Sequence, residues 1–352
     1  MNYSKKIFLP IILVSILIIS GCTSLIKKNP ATNPDGGVFK STDFGENWKQ
    51  KNLISKTGET ASSLNNTNIK FLIFDPETPG IIYLSTEGKG IYKSLDGGEQ
   101  WTPTKLNSGS YVSLGIDNRN TKVLYLTNGT KIIKSIDGGN DWMDIYVENR
   151  PKQKILSVIV DQFSQNIIYA ATSSSVLRSI NYGNSWELLS WNGTDVSDLN
   201  QSIKNGKTLY LLTKKSIFKT IDGGENFTNI TQNLSQYKDA NTIYWLNFDP
   251  RTEFMYIGTG YGILRSLTGG DTWEPVPTLF DFKKIPIKKV IHKPSDIENI
   301  LFSVDNILHK TTDGAKTWQS LKSIPTSRLI NYLALDPFNN DNVFAGTLLV
   351  KK

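Results

Sequence analysis

Seven copies of one eight-residue pattern constrain this 352-residue chain more than any other feature. Each is a serine or threonine, a turn residue two places on, and an aromatic seven places on. The clearest are residues 41–48 (Asp43, Gly45, Trp48), 94–101 (Asp96, Gly98, Trp101) and 135–142 (Asp137, Gly139, Trp142). Looser copies end in Trp186 (with Gly183), Phe227 (with Asp222 and Gly224), Trp273 (with Gly270) and Trp318 (with Asp313). A pattern repeated at this spacing means one supersecondary unit stacked many times.

The third motif position falls at 43, 96, 137, 181, 222, 268 and 313. Such intervals suit a four-stranded sheet per repeat, the size of a propeller blade. A short apolar run ending in a basic residue precedes each motif, as in Ile91-Tyr92-Lys93 and Ile217-Phe218-Lys219. That run reads as a third strand, the motif as a tight hairpin whose glycine takes positive φ, and the aromatic as the start of a fourth strand. Six of the eight tryptophans fill the aromatic slot, so tryptophan here reads first as core. Upstream, alternating apolar residues, an Asp-Pro turn and a β-rich run form a hairpin of strands one and two, clearest at Asp75-Pro76, Asp249-Pro250 and Asp336-Pro337. The chain opens on strands three and four and closes on strands one and two. The expected fold is therefore all-β: a seven-bladed propeller of four-stranded antiparallel blades, closed by the N- and C-terminal strands in one composite blade.

These motifs resemble the Asp-box, or BNR repeat, of sialidases, sortilin-type receptors, xyloglucanase-type glycosidases and photosystem II assembly factor-like propellers, over residues 36–347. In those families the box is a structural turn away from the ligand face. Asn181 and Thr268 replace the aspartate, Phe227 the tryptophan and Ala315 a glycine, each expected to weaken its own turn. The resemblance does not select a chemistry. Sialidases use an arginine triad, and this chain has no arginine before Arg119. Xyloglucanase-type enzymes work in a cleft between two propellers, and this chain has one ring.

Residues 1–21 read as an export signal: Lys5 and Lys6, then an apolar stretch at 7–19 too short for a confident membrane span. Ile19-Ser20-Gly21-Cys22 resembles a bacterial lipobox, which makes Cys22, the sole cysteine, the lipidation site. The domain plan is a signal at 1–21, a lipidated cysteine and tether at 22–35, and the propeller at 36–352. A flexible tether of that length reaches about 20 Å. The protein is thus expected outside the cytoplasm, lipid-anchored to a bacterial membrane at the outer membrane or cell surface. The formal charge of +7 falls to +5 once Lys5 and Lys6 leave (37 basic against 32 acidic residues), a mild excess without a basic stripe, so nucleic acid is not an expected partner.

No His/Cys cluster has metal-ligand spacing, and neither a P-loop nor a G-x-S-x-G elbow occurs, so neither cofactor nor metal is expected. Glycines 258–262 lie where strand two turns into strand three and read as a turn. The expected ligand face carries the loops from strand four to the next strand one, together with those between strands two and three. Tyr111, Arg150, Trp191, Tyr237 and Lys283 are its candidate contacts. Trp191 is either a stacking platform or packed against its own loop, and Trp245 reads as core. Lys283, Lys284, Lys288, Lys289 and Lys293 form a local basic cluster, read as a docking patch or a solvated face. The leading expectation is a non-enzymatic, monomeric scaffold binding a protein or glycan of the envelope. The alternative is an extracellular glycoside hydrolase with a carboxylate pair in the central pocket, and a purely structural envelope component is a third reading.

Overall fold

The computed structural model describes residues 35–55, 62–189, 191, 193, 195–249, 251–277, 289–304, 306–322 and 324–349. Cys22 and Lys283 lie outside the described residues. Seven four-stranded antiparallel sheets form the blades of a ring. The innermost strands of blades 1 to 7 are Ile69–Phe74, Ser113–Ile116, Ile155–Val160, Val196–Gln201, Ile243–Asp249, Lys289–Lys293 and Leu329–Leu335. Blade 7 is the composite: Leu329–Leu335 and Val343–Leu348 from the C-terminal end pair with Val38–Ser41 and Lys49–Gln50 from the N-terminal end.

Side chains reinforce this closure. Asn52, fully inside, accepts from the Val38 amide at 2.7 Å and donates to the Gly36 carbonyl at 2.7 Å. Asp35 accepts from Thr326 and Ser327, and the Thr347 hydroxyl donates to the Gly37 carbonyl at 3.2 Å. The Trp101 indole of blade 1 donates to the Lys51 carbonyl of blade 7 at 2.8 Å.

The repeated turn is built the same way each time. The Ser94 hydroxyl donates to Asp96 at 2.8 Å and accepts the Gly98 amide at 2.9 Å. Asp96 in turn accepts the Gln100 amide at 3.0 Å. Two consecutive residues sit in the left-handed region, Gly97 at φ 72° and Gly98 at 84°, which glycine enters without steric cost. At Asn181 and Thr268 the turn keeps its bond to the amide four residues on. Asn181 still accepts the Ser185 amide at 2.8 Å, and the Thr268 hydroxyl accepts the Thr272 amide at 2.9 Å. One acceptor oxygen suffices for that bond, and both residues supply it. Ala315 does carry strain, at φ 77° without a glycine's freedom.

The basic residue before six of the seven motifs turns out to join neighbouring blades. Lys40, Lys93, Lys134 and Arg178 each donate to a turn carbonyl of the next blade, those of Gly97, Gly138, Tyr182 and Gly223, at 2.9 to 3.2 Å. Lys219 pairs with Asp271 and Lys310 with Glu46, again one blade on. The tyrosines opposite Lys93 and Lys134, Tyr83 and Tyr125, donate to the same two carbonyls, and the ammonium groups lie 5.1 and 5.3 Å from those rings. Their attraction to the aromatic faces adds to the bond.

Candidate functional site

The first strands begin, and the second strands end, on one face of the ring, which we call the loop face. The repeated turns lie on the opposite face. On the loop face a pocket of about 510 Å³ opens between blades 4 and 5. One wall is Lys215 and Ser216, in the connection between Leu209–Thr213 and Ile217–Thr220. The other is the connection from blade 4 to blade 5, including Thr231, Tyr237, Lys238 and Asp239.

That second wall is pinned from several sides. Asn229 caps a 3-10 helix, Ile230–Leu234, by accepting the Thr231 amide at 2.9 Å. The Thr231 hydroxyl accepts the Ile217 amide at 2.9 Å, tying the helix to blade 4. Ile230 and Leu234 are buried in the core shared with blade 5. The Tyr237 hydroxyl donates to the Trp273 carbonyl at 2.5 Å, and its ring packs on Tyr261 at 5.1 Å between centroids. Tyr261 is 47% exposed, so the pair presents one aromatic ring to solvent with a second holding it in place. It sits in the expected turn at glycines 258–262, between Phe254–Thr259 and Ile263–Ser266. Gly260 is required there: a Cβ would meet the Asp239 carbonyl at 2.4 Å. The pocket lining is thus amides, hydroxyls and two lysines, with one carboxylate, Asp239. It offers hydrogen bonds and an aromatic edge rather than a pair of acids.

The axis of the ring is a second polar concentration. Five blades carry a β-bulge near the start of the first strand, for example between Ile155 and Ser157 and between Val196 and Asp198. A bulge adds one residue and re-aims the side chains after it. Register places Phe71, Ser113, Ser157, Asp198, Trp245, Lys289 and Tyr332 at one level of the seven first strands. Asp198, Lys289 and Tyr332 come from blades 4, 6 and 7 yet feel one another's charge. Burial pushes the Asp198 carboxyl up, against bonds from Ser157 and the Leu199 amide. Burial pushes the Lys289 ammonium down, with Asp198 and Asp249 opposing, and raises the Tyr332 phenol to about 12. The Lys289 ammonium lies 6.0 Å from the Tyr332 ring centre. Near the turn-face end of the axis Asp249 is clamped by Arg251 through both carboxylate oxygens, at 3.1 and 2.8 Å. Despite its burial, those bonds hold its carboxyl below the usual range. Of the two axial acids, one is raised and the other is already engaged by a guanidinium.

Of the residues expected to contact a ligand, Tyr237 lines the pocket, with Lys238 and Asp239 beside it. Tyr111 and Trp191 are not presented. Tyr111 is buried in the core between blades 1 and 2. Trp191, 6% exposed, meets Phe218 and Phe227 edge-on at 5.7 and 6.5 Å. It fills space left where Phe227 replaces the motif tryptophan, so its packing alternative holds. Trp245 is buried between blades 5 and 6. Arg150 is engaged by Glu148 at 2.9 and 2.7 Å and by Ser175 at 3.1 Å; in return it holds the Glu148 carboxyl low. The described members of the lysine cluster diverge: Lys289 faces the axis, and Lys293 pairs with Asp341 of blade 7. Sequence reasoning passed over Lys215, Thr231 and Tyr261. Lys215 lies in a short connection with no repeated signal, Thr231 sits in the 3-10 helix of the long connection from blade 4 to blade 5, and Tyr261 was hidden in a glycine turn.

No family model matches the chain, and no curated protein sequence matches it. Solved structures do. A GH74 enzyme of Niastella koreensis is 19% identical, with a TM-score of 0.59, over 80% of this chain and 51% of that one. YCF48 bound to D1 peptide is 12% identical, with a TM-score of 0.61, over 80% of this chain and 94% of that one. The extracellular domain of a putative one-component system from B. thetaiotaomicron is 13% identical, with a TM-score of 0.57, over 85% of this chain and 42% of that one. The chain thus spans about half the length of the GH74 enzyme and nearly all of YCF48. At these identities the likeness is one of fold: the chain is similar to β-propellers of the enzymatic and the peptide-bound kind alike.

Proposed function

We propose that this protein is a binding module whose loop-face pocket between blades 4 and 5 takes a polar ligand, a protein segment or glycan of the bacterial envelope. The observation that carries the reading is the pocket's composition: amide and hydroxyl groups beside Tyr237, whose ring packs on the exposed Tyr261, with a single carboxylate. Glycoside hydrolysis ordinarily needs two carboxyl groups roughly 5–10 Å apart. Aromatic rings held rigid beside hydrogen-bonding groups are what peptide and sugar recognition use. The likeness to YCF48, solved with a D1 peptide, supports a peptide as one ligand class.

The export reading completes the proposal. The turns would belong to the Asp-box class, residues 1–21 would be removed, and Cys22 would carry the lipid that anchors a monomeric ring to a membrane outside the cytoplasm. Labelling cells with a radioactive fatty acid tests the anchor: label present in the native chain and absent from Cys22→Ser is the expected result. The pocket is tested by screening the purified full-length chain on glycan and peptide arrays. Tyr261→Ala removes exposed ring without touching the Tyr237–Trp273 bond and is expected to weaken binding about tenfold. Release of reducing sugar from any polysaccharide in the screen would overturn the binding-module reading in favour of a hydrolase.

A further inference from the structure

Among the described residues, six of the seven blade junctions are latched by the basic residue before the motif, and the junction from blade 5 to blade 6 is not. Arg178 shows the complete arrangement. Its Nε donates to Glu187 of its own blade at 2.6 Å, its Nη1 to the Gly223 carbonyl of the next blade at 3.2 Å, and its Nη2 pairs with Glu225 at 2.8 Å. Arg265 repeats only the first part, with Nε on Glu274 of its own blade at 2.5 Å. Among the described residues it makes no bond to blade 6. Glu225 stands five residues after the motif hydroxyl, and at that position blade 6 has Lys316. A cation there repels the guanidinium instead of receiving it.

Other observations converge on the same junction. The hydroxyl of Tyr256, opposite Arg265 in register, is buried with no hydrogen-bond partner, whereas those of Tyr83 and Tyr125 reach the next blade's carbonyl. Among the described residues, five buried side-chain polar atoms lack a partner. Three flank this junction: Trp245 Nε1, Arg251 Nη1 and Tyr256 OH. All three are donors only or usual donors, and a buried donor without an acceptor costs stability. A cavity of about 290 Å³ opens against Arg265 at the turn of blade 5, lined by Arg265, Thr268, Thr272 and Glu274 among others. Because Thr268 replaces the motif aspartate, that lining lacks the carboxylate which five other turns carry.

We propose that the junction of blades 5 and 6 is a carboxylate-binding site, in which an external carboxylate takes the place beside Arg265 that Glu225 fills beside Arg178. The free edge of a guanidinium receives a planar carboxylate through two parallel N–H donors. Arg265 and Lys316 together outweigh Glu274 by one charge, which the ligand neutralises. The carboxylate belongs either to an acidic side chain of a peptide or to a uronic acid.

The test uses the purified full-length chain and three probes followed by ligand-observed NMR: acetyl-Gly-Glu-Gly-amide, its glutamine counterpart, and glucuronate. The glutamine peptide is expected to bind at least about tenfold more weakly than the glutamate peptide, because a charge-assisted bond is lost. Binding of the glutamate peptide alone assigns a peptide source, binding of glucuronate alone a sugar source, and binding of both the carboxylate itself. Lys316→Glu supplies the missing acid from within, so it is expected to raise Tm and to abolish probe binding together. Arg265→Gln is expected to abolish binding without raising Tm, and it carries the test if Lys316→Glu does not fold. Failure of both acidic probes to bind, equal binding of the glutamine peptide, or binding that survives Arg265→Gln would overturn the proposal.

Discussion

A tyrosine hydroxyl taken out of water helps the fold only when something accepts its proton. Tyr83 and Tyr256 occupy equivalent places in blades 1 and 5, both almost fully buried. Tyr83 donates to Gly138 at 3.2 Å, and Tyr256 has no acceptor. Burial raises both phenols, Tyr256 to about 12 with the nearby Arg265 charge moderating the rise. Tyr83→Phe is therefore expected to lower stability by about 1 kcal/mol, and Tyr256→Phe to leave it unchanged or raise it slightly, as read by urea denaturation. Titration gives a second residue-scale expectation. His292 is buried, stacked on Phe254 at 5.0 Å and 3.1 Å from the Thr252 hydroxyl. Burial lowers its pKa from 6.5 to about 4, with Asp249 opposing and Arg251 assisting. Above pH 6.5 the ring is neutral in both states and its contribution is complete. Between 6.5 and 4 the unfolded chain takes up a proton that the native state refuses, so stability falls with pH. Tm measured from pH 7 to pH 4 should decline, and His292→Phe should flatten that decline. These contrasts could not be read from the chain. The sequence shows a basic residue before every motif, but its purpose depends on a carbonyl in the following blade, and lateral packing between repeats leaves no local signature.

At the scale of the element, the hairpin turn was the most legible part of the molecule, because its hydrogen bonds are local and recur in sequence. What the pattern did not reveal is which member matters most. The motif hydroxyl is the hub: Ser94 is buried, holds Asp96 and accepts the Gly98 amide. Ser94→Ala strands a buried amide and is expected to cost about 1–3 kcal/mol. Asp96→Asn keeps one acceptor oxygen, as Asn181 does naturally at 2.8 Å, and is expected to cost less than half as much in the same denaturation assay. The aspartates act further down the pH scale. Bonds from Thr317 and Thr311 lower Asp313 to about 2 from 3.8. That contribution is full above pH 3.8 and is lost as the pH falls towards 2, and the Asp313→Asn variant should show a shallower acid transition. The loop-face pocket was less legible than the turns. Tyr237 was visible as an aromatic in a long connection, but its partner Tyr261 and the helix at Ile230–Leu234 follow from how two blades meet. Trp191, left open between a platform and packing, is packed: standing outside the repeat, it fills space beside Phe218 and Phe227.

At the scale of the whole molecule, the ring depends on a blade shared by its two ends. Residues 38–50 supply the third and fourth strands of blade 7, and the adjoining Lys51 carbonyl, which accepts from the Trp101 indole, ties in blade 1 as well. Removing residues 34–52 would leave Val343–Leu348 with an unpaired edge, which invites association with other chains. The expected outcome is loss of the cooperative thermal transition by circular dichroism and elution as aggregate in size-exclusion chromatography. A truncate that melts sharply as a monomer would show that the composite blade is dispensable. This closure was foreseeable from the order of the half-repeats, since orphan strands at each end have one economical solution.

The composite blade also sets a timetable. The Gly37 carbonyl and the Thr347 hydroxyl that it accepts lie 310 residues apart along the chain. Strand Val38–Ser41 leaves the ribosome ahead of blades 1 to 6, and its main partner only after them. Until Val343–Leu348 arrives, every earlier blade can form while the first strand waits with an open edge. Translation and any passage across a membrane must therefore proceed past Val343–Leu348 before the circle can close, so closure follows the other six blades.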